Sequence, residues 1–215
     1  MSNIFSSSIG KKLIMSISGL FLIVFLLLHV SINFIAILSE KAYLEACKFM
    51  DTNIFIQIMV PVLALGFAVH IIYSIIITLK NMKARPAGYA VSNKAEASWA
   101  SRNMFVLGAV VIGFLCLHLS HFWAKMQLQH FIGGTSENAY ELVKILFGKW
   151  YYSLIYIVWI AALYLHISHG FWSAFQSLGI NNSKWISRWQ CIAKIYATIV
   201  SLGFISVPLY FFIMG

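Results

Sequence analysis

The sequence predicts an all-α integral membrane protein with five transmembrane helices. Of the 215 residues, 61% are hydrophobic and only 10% are charged, and the mean hydropathy is +0.85. These values lie far outside the range of water-soluble globular domains. Five apolar stretches and their short connections take up nearly the whole chain, so we expect residues 1–215 to form a single membrane domain.

Each apolar stretch is long enough to cross a hydrocarbon core, which takes about 20 helical residues. The interiors of the stretches contain no Asp or Glu, and turn-forming segments such as Arg85-Pro86-Ala87-Gly88 and Gly133-Gly134 lie between them. The predicted spans are residues 13–38, 54–79, 103–124, 150–178 and 191–214.

The basic residues are divided unevenly between the two predicted sides of the membrane. The side that holds the N-terminus collects ten of the 15 Lys and Arg residues against Glu96 alone, whereas the other side holds five basic and five acidic residues. Because cytoplasmic loops carry an excess of Lys and Arg, we expect the N-terminus in the cytoplasm. The net charge of +9 then needs no nucleic-acid partner, and the basic face is suited to docking a soluble protein.

Six of the seven histidines lie inside predicted spans, where ionisable residues are costly and usually mark a functional site. At about 1.5 Å per residue, His29 and His121 lie about 25 to 28 Å from the cytoplasmic end of their spans. His70, His166 and His169 lie about 15 to 20 Å from that end. Two layers on four helices, roughly 10 Å apart, are typical of two stacked bis-histidine haems in a four-helix bundle, whereas a single metal ion requires ligands around one centre.

Two segments repeat a pattern of paired histidines, each pair three residues apart. They are His118-Leu-Ser-His121-Phe-Trp123 in the third span and His166-Ile-Ser-His169-Gly-Phe-Trp172 in the fourth. Residues three apart share one face of an α-helix. The spacing therefore leaves open which histidine of each pair is the ligand.

The chain resembles the single-chain, five-helix, di-haem cytochrome b subunits of succinate:quinone oxidoreductases and quinol:fumarate reductases. The resemblance runs nearly end to end and depends on the order and spacing of several short segments. These are Gly10-Lys11-Lys12, Leu28-His29-Val30-Ser31-Ile32-Asn33, Phe49-Met50-Asp51, Val69-His70-Ile71-Ile72-Tyr73, Ser120-His121-Phe122-Trp123 and His166-Ile167-Ser168-His169-Gly170-Phe171-Trp172-Ser173.

The resemblance implies four axial ligands on the first four helices, which would form a bundle around two b haems. His29 and His121 would hold the outer haem, and His70 and His166 the inner one. The resemblance leaves His118 and His169, the other two histidines in these spans, as neighbours of the haems or as helix-interface residues. We expect His130 in a loop.

The same resemblance implies a respiratory complex in which this chain is the membrane anchor. A flavoprotein with covalent FAD and the dicarboxylate site, and an iron-sulfur subunit, would dock on the cytoplasmic face of a bacterial inner membrane. Electrons would pass between the iron-sulfur clusters, the two haems and a quinone such as menaquinone. The chain would set the spacing and the reduction potentials of the haems. It would not itself make or break covalent bonds in a substrate.

Four residues near the outer interface are candidates for contact with the quinone: Asn33, Asp51, Trp123 and Lys125. A carboxylate there could exchange the quinol proton. Structural roles are the alternative, with Asp51 capping the second span, Asn33 bonding across helices and Trp123 in the interfacial aromatic belt. Some di-haem fumarate reductases carry a Glu two residues before the fourth ligand. Tyr164 occupies that position, which argues against a transmembrane carboxylate relay.

Two other classes of protein fit parts of the pattern. One is a di-haem anchor of a different respiratory oxidoreductase, which the co-purifying subunits would identify. The other is a haem-free transporter or scaffold in which the histidines line a pathway or join helices. The absence of visible absorption would identify that class.

Overall fold

The computed structural model describes residues 7–84, 98–180 and 182–214, and all the regular secondary structure in these ranges is helical. The helices are α1 (Ser8–Leu38), α2 (Glu40–Thr52), α3 (Ile54–Lys83), α4 (Trp99–Arg102), α5 (Met104–His118), α6 (Gln127–Ile132), α7 (Ala139–Phe147), α8 (Trp150–Ser177) and α9 (Trp185–Met214). A π-helical turn, Leu119–Trp123, continues α5.

Five of these helices are long and apolar enough to span a membrane: α1, α3, α5 with its π turn, α8 and α9. They coincide with the five predicted spans. The first and fifth begin earlier than predicted, at Ser8 and Trp185, because each carries a polar first turn that the hydropathy pattern left out. The predicted turn at residues 85–88 lies outside the described residues, as do Lys94 and Glu96.

Capping side chains set the ends of α1, α2 and α3. The hydroxyl of Ser7 accepts a hydrogen bond from the amide of Gly10, and Ser39 caps α2 in the same way through Ala42. The Asn53 side chain accepts from the amides of Phe55 and Ile56. Such caps satisfy amides that the first turn leaves unpaired. Polar residues outside the apolar spans therefore cap the N-terminal ends of the helices that follow them.

The most tightly packed part of the molecule lies between α1, α8 and α9. Ala197 and Val200 of α9 are fully buried against Val30 of α1 and Leu163 and Ile167 of α8, and Ala193 of α9 is fully buried as well. A Cβ on Gly203 would come within 2.7 Å of a Val30 methyl group, so glycine permits this close approach. Since the fifth span supplies much of this core, the expected bundle of the first four spans is incomplete without it.

In contrast, α3 and α5 pack loosely. No residue of α3 is buried, and Leu107 is the only buried residue of α5. The main contacts of α3 are with α1 and α2, and those of α5 are with α8, so these two helices do not pack extensively on each other. Both helices nevertheless bring a histidine to a histidine of another span.

The short helices close one end of the molecule, which we call the α2 end. Buried side chains from five helices meet there: Ala36, Tyr43, Ala139, Val143, Phe147, Tyr156, Val207 and Phe211. The opposite end, where α1 begins and α3 and α8 finish, is called the N-terminal end. Among the described residues, the buried side chains of the connecting helices α2 and α7 lie at the α2 end.

Candidate functional site

The first histidine pair joins α3 to α8. The ring centroids of His70 and His166 are 6.5 Å apart, and their planes are inclined at 77°. Two imidazoles bound on opposite sides of one metal, each through a bond of about 2 Å, have centroids about 6 Å apart. The distance between these two rings therefore suits a bis-histidine haem iron.

The hydrogen bonds of His70 indicate which ring nitrogen is free to bind a metal. Its Nδ1 lies 3.3 Å from the carbonyl oxygen of Met15 and 3.3 Å from the hydroxyl of Ser18. The carbonyl can only accept, so the Nδ1–H donates to it, and Ser18 donates to the same carbonyl at 2.9 Å. A metal-binding histidine typically donates its second nitrogen to a carbonyl in this way. Nε2 is then the nitrogen available to a metal.

Glycines lie next to both rings of this pair. A Cβ on Gly19 would come within 3.1 Å of the His70 ring, and a Cβ on Gly108 would lie 3.7 Å from the His166 ring. The Nδ1 of His166 is buried and finds no hydrogen-bond partner among the described residues. Buried polar atoms are rarely left unpaired. The space around the His166 ring therefore suits a bound group that would supply a hydrogen-bond partner to this nitrogen.

The second histidine pair joins α1 to α5, and its members are His29 and His118. Their ring centroids are 5.7 Å apart and the planes are inclined at 85°. His29 also stacks on Phe25 and packs on Phe204 of α9. The Nδ1 of His118 is buried without a partner among the described residues. This pair is slightly closer than two ligands of one iron, and its environment is apolar and aromatic.

His121, the ligand implied by the resemblance, is directed towards α8. Its Nδ1 is 3.0 Å from the hydroxyl oxygen of Tyr156, and its ring packs on Tyr152 and Tyr156 of α8. The histidine ring that contacts His29 is that of His118. The pairing of His29 with His121 stays a prediction.

A π turn follows His118 and contains His121. The amide of Ala124 donates to the carbonyl of Leu119, five residues earlier, at 2.8 Å. A π turn is wider than an α turn and frequently occurs at functional sites. It changes the angle between His118 and His121 from the value that α-helical spacing predicts, although the rings of both contact Tyr156.

The two pairs lie at different levels of the bundle. His70 contacts α1 at Met15 and Ser18, and His29 follows these residues by 14 and 11 positions, or about 16 to 21 Å at 1.5 Å per residue. Along α8, His166 is ten residues from Tyr156, the residue that packs against His118, or about 15 Å. By both counts, several helical turns separate the two pairs.

The remaining histidines have other surroundings. His169 packs on Trp172 of its own helix, and its buried Nδ1 has no hydrogen-bond partner among the described residues. His130 lies exposed in α6, where a loop was expected. Within the described ranges, no three His, Cys, Asp or Glu side chains are grouped to hold a metal ion. The histidines are thus arranged as pairs.

The four quinone candidates lie towards the α2 end, but their side chains have different partners. Asn33 donates to the carbonyl of His29, one turn earlier in α1, at 2.8 Å. Lys125 forms an ion pair with Glu137 at 3.5 Å, and Trp123 is 37% exposed. Asn53, not Asp51, caps α3. The partners of Asn33 and Lys125 are residues outside the candidate set.

The surroundings of Asp51 disfavour the charged form of its carboxyl group. Burial raises the pKa of its carboxyl group, and the nearby His130 partly opposes that shift. Desolvation disfavours the charged form of a carboxyl group. Asp51 therefore retains its proton to a higher pH than an ordinary aspartate.

Sequence reasoning missed two glutamines close to Asp51. The amide of Gln127 donates to the side-chain oxygen of Gln57 at 2.8 Å, and Gln57 in turn donates to the carbonyl of Met50. They join the start of α3 to α6 and give the α2 end a polar lining. Separated by 70 positions, they carried no local motif by which to identify them.

Comparison of the chain with protein-family models, with curated proteins and with solved structures produced no match.

Proposed function

We propose that this chain is the membrane-anchor cytochrome b of a succinate dehydrogenase or fumarate reductase complex. The observation that carries the proposal is the arrangement of two histidine pairs on four membrane-spanning helices, at two levels of the bundle. His70 with His166 would hold an inner haem b, and His29 with His118 an outer one. Four-helix bundles build cofactor sites from facing side chains in this way.

In this proposal the protein binds and orients, and each haem supplies a one-electron couple when bound. The carbonyl of Met15 fixes the ring of His70, and Asn33, 3.5 Å from Nδ1 of His29, restrains that ring. The apolar and aromatic surroundings of the His29 pair exclude water. Polarity and hydrogen bonding around the iron set haem potentials. The two haems would cover part of the loosely packed α3 and α5.

The proposal also assigns the two ends of the molecule. The N-terminal end would face the cytoplasm and receive the iron-sulfur subunit, with the flavoprotein and its FAD beyond it. The α2 end would lie on the outer side of a bacterial inner membrane and receive menaquinol or another quinol. The uneven charge of the two sides supports this orientation.

We expect two non-covalently bound haems b per chain. The sequence contains no Cys-x-x-Cys-His segment for covalent attachment, so acid-acetone should extract all the haem. A pyridine haemochrome assay on the assembled enzyme measures the number. One haem per chain, or none, would be incompatible with two bis-histidine sites, and none would favour a transporter or scaffold.

We expect Asp51→Asn to slow quinol-dependent reduction of the haems by about 100-fold, as is usual for loss of a general base. Both haems should remain, because Asp51 belongs to neither histidine pair. If the carboxylate accepts the proton, the wild-type rate rises with pH through the raised pKa of Asp51, and the variant lacks that rise.

Stopped-flow reduction by a menaquinol analogue, over a range of pH, measures the effect. Glu45→Gln is the matched control, since Glu45 is an exposed carboxylate on the same helix. Equal rates and pH profiles in the wild type and Asp51→Asn would remove Asp51 from the quinol site.

A further inference from the structure

One buried tyrosine of α8 lies against both histidines at the end of the third span. The ring of Tyr156 stacks on that of His121, with centroids 6.0 Å apart, and contacts that of His118 at 6.3 Å. Tyr156 is 3% exposed. Phe114 and Phe147 pack edge-on against it, with ring centroids 5.1 and 4.9 Å away. This packing fixes the tyrosine ring and the position of its hydroxyl group.

The hydroxyl group of Tyr156 distinguishes the two histidines. Its oxygen lies 3.0 Å from Nδ1 of His121, whereas the Nδ1 of His118 is buried and has no hydrogen-bond partner among the described residues. A buried hydroxyl group needs an acceptor for its proton, because an unpaired polar group is costly away from water. Within the described ranges, Nδ1 of His121 is the acceptor that reaches Tyr156. The hydroxyl group therefore donates to that nitrogen.

The direction of this hydrogen bond decides which nitrogen of His121 carries the ring proton. A neutral imidazole has one nitrogen that donates and one that accepts. Since Nδ1 of His121 accepts from Tyr156, the proton lies on Nε2. A metal binds a ring nitrogen that carries no proton. Both nitrogens of His121 are then occupied, whereas His118 can carry its proton on Nδ1 and present Nε2 to a metal.

His70 of the inner pair has the opposite arrangement. The carbonyl of Met15 can only accept, so the proton of His70 lies on Nδ1 and Nε2 stays free for a metal. A tyrosine hydroxyl group differs from a carbonyl because it brings a proton of its own. The kind of oxygen beside Nδ1 thus separates a histidine that can bind iron from one that cannot.

We propose that Tyr156 determines which histidine of the third span binds the outer haem. Its hydroxyl group keeps His121 from the iron, and His118 becomes the ligand opposite His29. Tyr156 touches neither the haem iron nor a substrate, so it is a positioning residue. The proposal rests on the proposed function, since it requires an outer haem between α1 and α5.

The first measurement compares His118→Ala alone with His118→Ala combined with Tyr156→Phe, both in the assembled complex. EPR spectra of His118→Ala should lack the low-spin signal of the outer haem. Removing the tyrosine hydroxyl group frees His121, so the double variant should recover a low-spin outer haem to about tenfold above the single variant. Tyr152→Phe with His118→Ala is the matched control. The ring of Tyr152 also packs on His121, at 5.1 Å, and this variant should recover no haem.

The second measurement is ¹⁵N NMR of the histidine-labelled complex in its reduced state, because the shift of each ring nitrogen depends on whether it carries a proton. Comparison with His121→Ala assigns the signals of His121. In the wild type, Nε2 of His121 should carry the proton and Nδ1 should accept a hydrogen bond. In Tyr156→Phe the Nδ1 signal should move to that of a nitrogen without this donor.

Equal outer-haem signals in His118→Ala with and without Tyr156→Phe would overturn the proposal, as would a proton on Nδ1 of His121 in the wild type. A wild type with two haems that loses the outer one in His121→Ala would overturn it as well, with the proposed function intact. A wild type without haem would instead overturn the proposed function, and the proposal with it. The haem content of the wild type therefore separates the two failures.

Discussion

Replacing His118 by Ala should remove the same low-spin haem that His29→Ala removes, whereas His121→Ala should leave both haems in place. The reason is that His118 faces His29, with ring centroids 5.7 Å apart, while His121 bonds to Tyr156. Loss of an axial ligand leaves the iron five-coordinate or empties the site. Loss of a neighbouring group typically weakens binding only about 10- to 100-fold.

Reduced-minus-oxidised and low-temperature EPR spectra of the assembled variants measure this result. His121→Ala serves as the matched control, since it removes a histidine from the adjacent turn of the same helix. The opposite outcome, with the outer haem lost in His121→Ala and kept in His118→Ala, would restore the ligand implied by the family resemblance. It would also require the side chains of the π turn to rearrange when haem binds.

His70→Ala and His166→Ala should each remove the inner haem, and the spectra of the two variants should match. Both rings contribute to one pair, and His70 is already oriented by the carbonyl of Met15. His169→Ala should keep this haem, because the described ring contact of His169 is with Trp172 of its own helix. Ser18→Ala should weaken binding of the inner haem without abolishing it, since the Met15 carbonyl still accepts a hydrogen bond from His70.

Haem content per chain and the EPR signal of each centre measure this second result. The outer haem is the internal control, because its pair lies about 15 to 20 Å away along the helices. If His70→Ala and His166→Ala affected different haems, the pairing of α3 with α8 would be wrong. If His169→Ala removed the haem, His169 rather than His166 would be the ligand on α8.

The five spans were predictable because hydropathy is a local property of the chain. A run of about 20 apolar residues must become a helix in lipid, where every backbone group needs an internal partner. The predicted starts of α1 and α9 lay several residues too late. The polar first turns of these helices, beginning at Ser8 and Trp185, resemble loop segments in their composition. The importance of α9 was missed as well. Its buried face consists of small residues such as Ala193 and Ala197, and periodicity does not show which neighbour will cover them.

At the site, the identity of each residue and its count along a span predicted histidines on four helices and in two layers. The family resemblance, and not this count, implied that His70 pairs with His166, and the two rings lie 6.5 Å apart. The count needs no knowledge of how the helices are rotated about their axes.

Only the tertiary structure decided which way each side chain of the third span faces. The turn at Leu119–Trp123 is π-helical. The ring of His118 contacts His29 and Tyr156, whereas that of His121 contacts Tyr152 and Tyr156. Residue counting assumes a constant α-helical turn, so it placed both histidines on one face. Rotation and pairing of helices depend on side chains of several spans at once, and no local pattern in one span contains them.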